Sequence, residues 1–195
     1  MAYANDITGY VRGHSTLDVT CWNAGFGYPL GTLAWSAIVD SQATLADASA
    51  KLLGDSGYLD MIDSAADMIS TGGEDHLREL IAGGEGGTGE APPIGAVAQI
   101  TTATAFVDRF ADALGWGVEV AQFASEVLGS PVVVLRDLFG TMGRITWIGI
   151  QPDIAAAESA GAKLAGNADY LERMKGTGEL FIHGSANVSQ LVRIA

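Results

Sequence analysis

The sequence predicts an α+β fold of two similar halves, and three observations carry that prediction. The stretch 143–174 reads GRITWIGIQPDIAAAESAGAKLAGNADYLERM, and an earlier stretch from Gly31, GTLAWSAIVDSQATLADASAKLLGDSGYLDM, matches it without a gap. At a constant shift of 112 residues Gly31 meets Gly143, Trp35 meets Trp147, Lys51-Leu52 meets Lys163-Leu164, Gly54 meets Gly166 and Tyr58-Leu59 meets Tyr170-Leu171. A register that holds through a strand-like run, a helix and a turn is hard to reach by chance and marks an internal duplication. Secondly, β-prone runs of period two are interleaved with alanine-rich runs of helical period. Thirdly, AGGEGGTGEAPP lacks apolar periodicity and reads as a linker. The expected units are residues 1–82, a glycine-rich linker at 83–95, and residues 96–195.

In chain order, Ile7–Val11 is short, β-prone and followed by Gly13, so a first strand is expected there. Leu17, Val19 and Cys21 alternate with Thr16, Asp18 and Thr20, which predicts a half-buried strand over Thr16–Trp22. GFGYPLG marks a turn, and Thr32–Val39 reads as a third strand paired antiparallel with the second. Three strands thus precede any helix. Thr44–Leu53 is alanine-rich with Leu45, Ala48, Leu52 and Leu53 on one side, and Gly54 should end that helix beside Lys51. A second helical piece follows Asp55 or Ser56 and turns Tyr58, Leu59, Ile62 and Met68 inward, and Leu77–Ile81 closes the first half as a strand.

The second half opens on the β-prone run Ala96–Ala105. Phe106–Leu128 spaces Phe106, Phe110, Leu114, Val118 and Ala121 as a helix does, and Gly129-Ser130-Pro131 stops it. Val132–Phe139 and Arg144–Ile150 form a hairpin across GTMG. Asp153 is suited to cap the next helix, Gly166 to close it, and Asn167 to cap the short piece holding Tyr170 and Met174. The chain ends in the apolar runs ELFIH and VSQLVRIA. The order β-α-β-β-α-β is the ferredoxin-like arrangement. In the first half ITGYV aligns with ITTAT at a shift of 93 residues, 19 short of the later shift. That is about the length of a helix, so the first repeat is expected to lack its first helix.

Composition narrows the function. With 48% hydrophobic and 17% charged residues the chain has ample material for a core. Its net charge of −13 repels phosphate backbones and anionic lipid, which argues against nucleic-acid and membrane-surface partners and fits a solubilising surface. No apolar run is long enough to span a bilayer, and MAYANDITGYVRGH has neither a basic start nor an apolar signal core. Cys21 stands alone, so no internal disulfide forms and a reducing cytoplasm is expected.

Two tandem ferredoxin-like units, with the hairpin VVVLRDLFGTMGRITWIGI, a capped alanine-rich helix, a Tyr-Leu pair after a glycine and a closing Leu-x-Arg-Ile strand, resemble the dimeric α/β-barrel superfamily over nearly the whole chain. The second half is most similar to its NIPSNAP-like, monooxygenase-like branch. The resemblance implies an intrachain dimeric α/β-barrel built from two ferredoxin-like repeats. It also implies one of three roles: binding of a small, mostly apolar molecule, cofactor-independent monooxygenase or isomerase chemistry on an aromatic substrate, or service as a structural subunit of a larger assembly.

Six residues are the candidates for such a site. Trp35 and Trp147 hold equivalent places on the third strand of each half, where an indole offers a wide stacking face and one donor, to a flat ligand or to the core. Tyr58 and Tyr170 are equivalent after the helix, each with a hydroxyl for a ligand or for anchoring the turn. His183, between ELFI and Gly184-Ser185, falls near a strand end at the barrel mouth, where an imidazole can act as general base or iron ligand or simply hydrogen-bond. Arg136, with Asp137, interrupts an apolar strand; pointing inward it would meet a substrate carboxylate or an acidic residue of the barrel. His14, His76 and His183 share no metal-ligand spacing, so no metal and no cofactor are expected. GGEGGTG lacks the strand before it and the helix after it that a phosphate-binding loop requires. Trp22, Phe26 and Tyr28 border the side that the missing helix would roof, and a ligand or a second copy, making a homo-oligomer through repeat one, is expected to dock there.

Overall fold

The chain opens on a helix, α1 (Ala2–His14), where a strand was expected at Ile7–Val11 and no helix before Thr44. Ala4, Ile7 and Thr8 are its buried residues, and spacings of three and four put them on one helical face, which outweighs the β-branched composition of the short run. Thr8 satisfies its hydroxyl on the carbonyl of Ala4, one turn back, at 2.6 Å. The computed structural model describes residues 1–69, 72–84 and 91–195; residues 85–90 of the expected linker lie outside that set.

The remaining elements are β1 (Thr20–Ala24), β2 (Leu33–Ser36), α2 (Gln42–Leu53), α3 (Ser56–Ser64), β3 (Arg78–Ala82), β4 (Val97–Thr104), α4 (Phe110–Leu128), β5 (Val132–Asp137), β6 (Arg144–Gln151), α5 (Ile154–Ala165), α6 (Ala168–Arg173) and β7 (Asn187–Arg193). Local chemistry sets their limits. Ser41, Asp55, Asp153 and Asn167 each accept an amide of the first turn of α2, α3, α5 and α6. Gly129, at φ 71°, supplies the left-handed residue that ends α4. The run ELFIH is not a full strand: Thr177–Glu179 is a 3-10 turn, and Phe181 makes an isolated bridge to Ala105. On α3, Leu59 and Ile62 stay exposed, as does Met68 beyond it, contrary to the inward placement their spacing suggested. No covering element lies over them among the described residues.

Among the described residues seven strands form one antiparallel sheet in the order β2-β1-β7-β4-β6-β5-β3. Helices cover one face. There Trp147, Val134, Ile145 and Ala103 pack with Ala113, Leu114 and Ala121 of α4 and with Phe181. Trp22, Ala98, Ile100 and Leu191 are also buried, with Ile148 against them, on the face that carries no helix. Side chains on a helix-free face are buried only if the sheet curls and they cover one another, so this is the inner face of a curled half-barrel.

A polar tie joins the helical layer of the first half. The Tyr10 hydroxyl donates to Asp55 Oδ1 at 2.7 Å, and the amides of Gly57 and Tyr58 donate to the same oxygen. The Tyr10 hydrogen bond, followed by these amides, holds the Asp55 carboxyl below the ordinary value of 3.8. A folded-state pKa below the unfolded one gives stability that is complete above the unfolded value and is lost as pH falls through the folded one. Asp55→Ala should therefore lower Tm at about pH 7 and change it much less at about pH 2. Thermal melts of both proteins across that range check this, and an equal loss at both ends would show that the carboxylate charge plays no part.

Candidate functional site

Strand alternation decides which side chains reach the inner face. Ile100 pairs with Ile148 there, so Thr102 and Thr104 of the same strand follow on that side, opposite Thr146 and Arg144. Thr146 faces Leu135, which faces Leu80, and one step further along Asp137 faces Arg78. The inner face therefore grades along the strands from Ala98, Ile100, Ile148, Leu191 and Trp22 at one end to Thr102, Thr146, Arg144, Asp137 and Arg78 at the other.

Asp137 is the centre of the polar end. Its side chain is 1% exposed and lies between Arg78, 24% exposed, and Arg144, 29% exposed. Arg78 Nε donates to Asp137 Oδ1 at 3.1 Å, while Arg144 Nη1 stands 3.6 Å from Oδ2, an ion pair without a hydrogen bond. The β5–β6 turn closes over the group. The amide of Leu138 donates to the carbonyl of Leu77 at 2.9 Å, and at Gly140, φ 115°, a side chain would meet both Asp137 Oδ2 and the His76 ring. Asp137 Oδ2 and the Thr146 hydroxyl are buried with no hydrogen-bond partner in the protein. They are diagonal neighbours on adjacent strands, on the order of 7 Å apart. Leaving such a group unsatisfied costs about 1–3 kcal/mol. Two acceptors and two guanidinium groups, at the end of an apolar floor, can hold a molecule that donates one hydrogen bond and carries or develops negative charge.

The six candidate site residues of the sequence lie elsewhere. Trp35 and Trp147 both point to the helical face. Trp147 Nε1 donates to the carbonyl of Gly117 on α4 at 2.9 Å, and Trp35 Nε1 donates to Thr8 Oγ1 on α1 at 2.9 Å. Trp147 also meets Trp116 and Phe181 edge to face, with centroids 5.9 and 6.0 Å away. Tyr58 and Tyr170 sit on α3 and α6, outside the sheet, and burial raises the pKa of Tyr170. His183 is exposed, in the turn before β7. Arg136 pairs with Glu79 across β5 and β3, with 38% and 44% of the two side chains exposed. It alternates with Asp137 and so leaves the inner face to it. Cys21 is buried, and burial pushes its thiol pKa up, away from reactivity. Trp22 is the indole that does reach the inner face, its Nε1 held by Ser36 Oγ at 2.8 Å. The helical layer carries shallow depressions, of about 110 Å³ beside Trp116 and Arg173 and about 300 Å³ beside Asp169 and Glu172. Among the described residues no cluster of His, Cys, Asp and Glu could hold a metal ion, and no helix is long and apolar enough to cross a membrane.

No family model matches the sequence, and no curated protein matches it. Solved structures do. A "putative monooxygenase" from Fusobacterium nucleatum subsp. nucleatum ATCC 25586 superposes with a TM-score of 0.65 at 9% identity, covering 100% of this chain and 84% of its own. Another so named, from Lactobacillus acidophilus NCFM, gives 0.61 at 13% identity, covering 98% and 84%. At such identities the likeness shows the fold alone: this chain has the ferredoxin-like α/β-barrel architecture.

Proposed function

We propose that the chain is a tandem of two ferredoxin-like repeats, residues 1–82 and 96–195, whose inner face binds a small, mostly apolar molecule through one hydroxyl or amide N–H. The observation that carries the ligand reading is the pair of buried acceptors that receive no hydrogen bond from the protein, Thr146 Oγ1 and the Asp137 Oδ2 that is ion-paired with Arg144, beside an apolar floor. The repeat reading is supported by α2 and α5, and α3 and α6, which begin 112 residues apart. It is further supported by Trp35 and Trp147, each anchored by its indole N–H to the helix packed above it.

An oxygenase or isomerase acting on an aromatic substrate is the second reading, favoured by likeness of fold to the two monooxygenase-named structures. The inner face suits its first step. An aromatic hydroxyl placed against Asp137 would give its proton to Oδ2, and the resulting phenolate would be held by the charges of Arg78 and Arg144.

Thr146→Val tests the ligand reading because it is nearly isosteric and removes a hydroxyl that the fold leaves unsatisfied. It should leave stability unchanged or raise it, by up to about 1 kcal/mol. If ligand binding uses that hydroxyl, affinity for 2-naphthol should fall by about three- to tenfold, read from quenching of tryptophan fluorescence. Naphthalene, which has the same rings and no donor, should bind more weakly to the unaltered protein. Equal binding of the two compounds, or no binding of either, would remove the hydroxyl-recognition reading.

A further inference from the structure

The short helix α3 is apolar over more of its circumference than the fold covers. Tyr58, Met61 and Ala65 lie on one side of it, and Ala65 is fully buried. At about 100° per residue, Leu59, Ile62, Ala66 and Ile69 fall next to them within an arc of about 80°. The helical course lasts that far. Beyond Ser64 the amide of Ile69 still donates to the carbonyl of Ala65, four residues back, at 3.1 Å. Leu59, Ile62 and Ile69 are nevertheless 41, 39 and 57% exposed, and Ala66 is exposed as well. Four apolar side chains spaced by three and four along about 15 Å of helix, open to water, have the form of a seam onto which a second helix packs.

Charge says what would cover it. Asp60, Asp63 and Asp67 run beside the apolar stripe, one position on; all three are exposed, and among the described residues none is paired with a cation. From Leu52 to Leu77 the sequence holds six carboxylates and no Lys or Arg. The matched place in the second half differs. There Arg173 and Lys175 offset Asp169 and Glu172, and Arg173 lies over the Phe123 ring of α4, 4.4 Å from its centroid. An open apolar stripe with a flank of one sign is therefore particular to α3. Residues 85–90, EGGTGE, have no apolar side chain to lay on it, and a second copy would bring a second acidic stripe on a chain of net charge −13.

We propose that the face formed by Leu59, Ile62, Ala66 and Ile69 docks a basic amphipathic helix of another protein. The partner's apolar stripe lies on those four side chains, and its Lys or Arg residues meet Asp60, Asp63 and Asp67.

The probe is a helical peptide of leucine and lysine alone, LKKLLKLLKKLLKL, titrated into the full chain. A scrambled peptide of the same composition, without the helical stripe, is its control. The first should bind one to one, shift the amide resonances of residues 56–69 and leave those of residues 168–174 in place. Affinity should fall by about tenfold or more in Ile62→Ser/Ile69→Ser, and by about tenfold in Asp60→Asn/Asp63→Asn/Asp67→Asn, which should also lose most of its dependence on salt. Leu171→Ser/Met174→Ser, at the matched exposed places at α6, should bind as the unaltered chain does. The two α3 variants remove different kinds of contact, so either one that folds reads the surface. The proposal is overturned if the scrambled peptide binds as tightly, since attraction to net charge then suffices, if both α3 variants keep full affinity, or if neither peptide binds. It is also overturned if the unaltered chain has the native mass of two chains and Ile62→Ser/Ile69→Ser that of one, because a second copy then covers the stripe. None of these substitutions touches the inner face, so failure here leaves the 2-naphthol titration unaffected.

Discussion

Trp147→Ala is expected to destabilise the protein by about 3–5 kcal/mol, and Trp35→Ala by roughly half as much. The two indoles stand at matched sequence positions, 112 residues apart, and each bonds to a helix, so the difference isolates what surrounds them. Trp147 lies flush on α4: a side chain at Gly117 would come within 2.9 Å of its ring, while the indole N–H reaches the carbonyl of the same glycine. Its edge-to-face contacts with Trp116 and Phe181 each add about 0.5–1.5 kcal/mol beyond the area buried. Trp35 has no equivalent aromatic partners among the described residues, and 44% of it is exposed. Its N–H is held at one remove, through Thr8 Oγ1, which donates on to the carbonyl of Ala4. Urea unfolding followed by circular dichroism measures both losses. A loss under about 1 kcal/mol at Trp147 would mean that the ring does not fasten α4 to the sheet.

The same matched places explain what the sequence showed and what it hid. The register from Gly31 onward was legible because caps and glycines have local causes: Ser41 and Asp153 hold first-turn amides, and Gly54 and Gly166 follow the last turns. The identity of the first element was not legible. ITGYV resembles ITTAT in composition, and over five residues composition cannot separate period two from the three-and-four spacing of Ala4, Ile7 and Thr8. That one confusion put a strand where α1 lies. The inner polar group was hidden for a different reason. Arg78, Asp137 and Arg144 come from three strands, and nothing local brings them together. Local pattern is silent at Arg136-Asp137, because Val132 and Val134 share a face with Arg136 just as Val133 and Leu135 do with Asp137. Only the pairing of the strands assigns the aspartate to the inner face.

That assignment has a measurable consequence, because the two neighbours should respond very unequally to alanine. Arg136→Ala removes a pair with Glu79 in which both partners are more than a third exposed, so water and salt already screen it; the expected loss is under about 1 kcal/mol. Asp137→Ala removes a carboxylate that is 1% exposed and leaves Arg78 and Arg144 facing each other across the space it filled. Breaking a buried ion pair from one side costs about 3–5 kcal/mol. Both arginines here keep some contact with water, which points to the lower end, about 3 kcal/mol. Asp137→Asn should lose less, since its amide oxygen can still accept from Arg78 Nε. Substituting Arg144 by leucine in the Asp137→Ala background should recover part of the loss, because it removes one of the two unpaired charges. Denaturant midpoints of the four variants decide the matter. Equal losses for Arg136→Ala and Asp137→Ala would place the wrong residue on the inner face, and no recovery on removing Arg144 would show that the carboxylate supports packing rather than the two guanidinium groups.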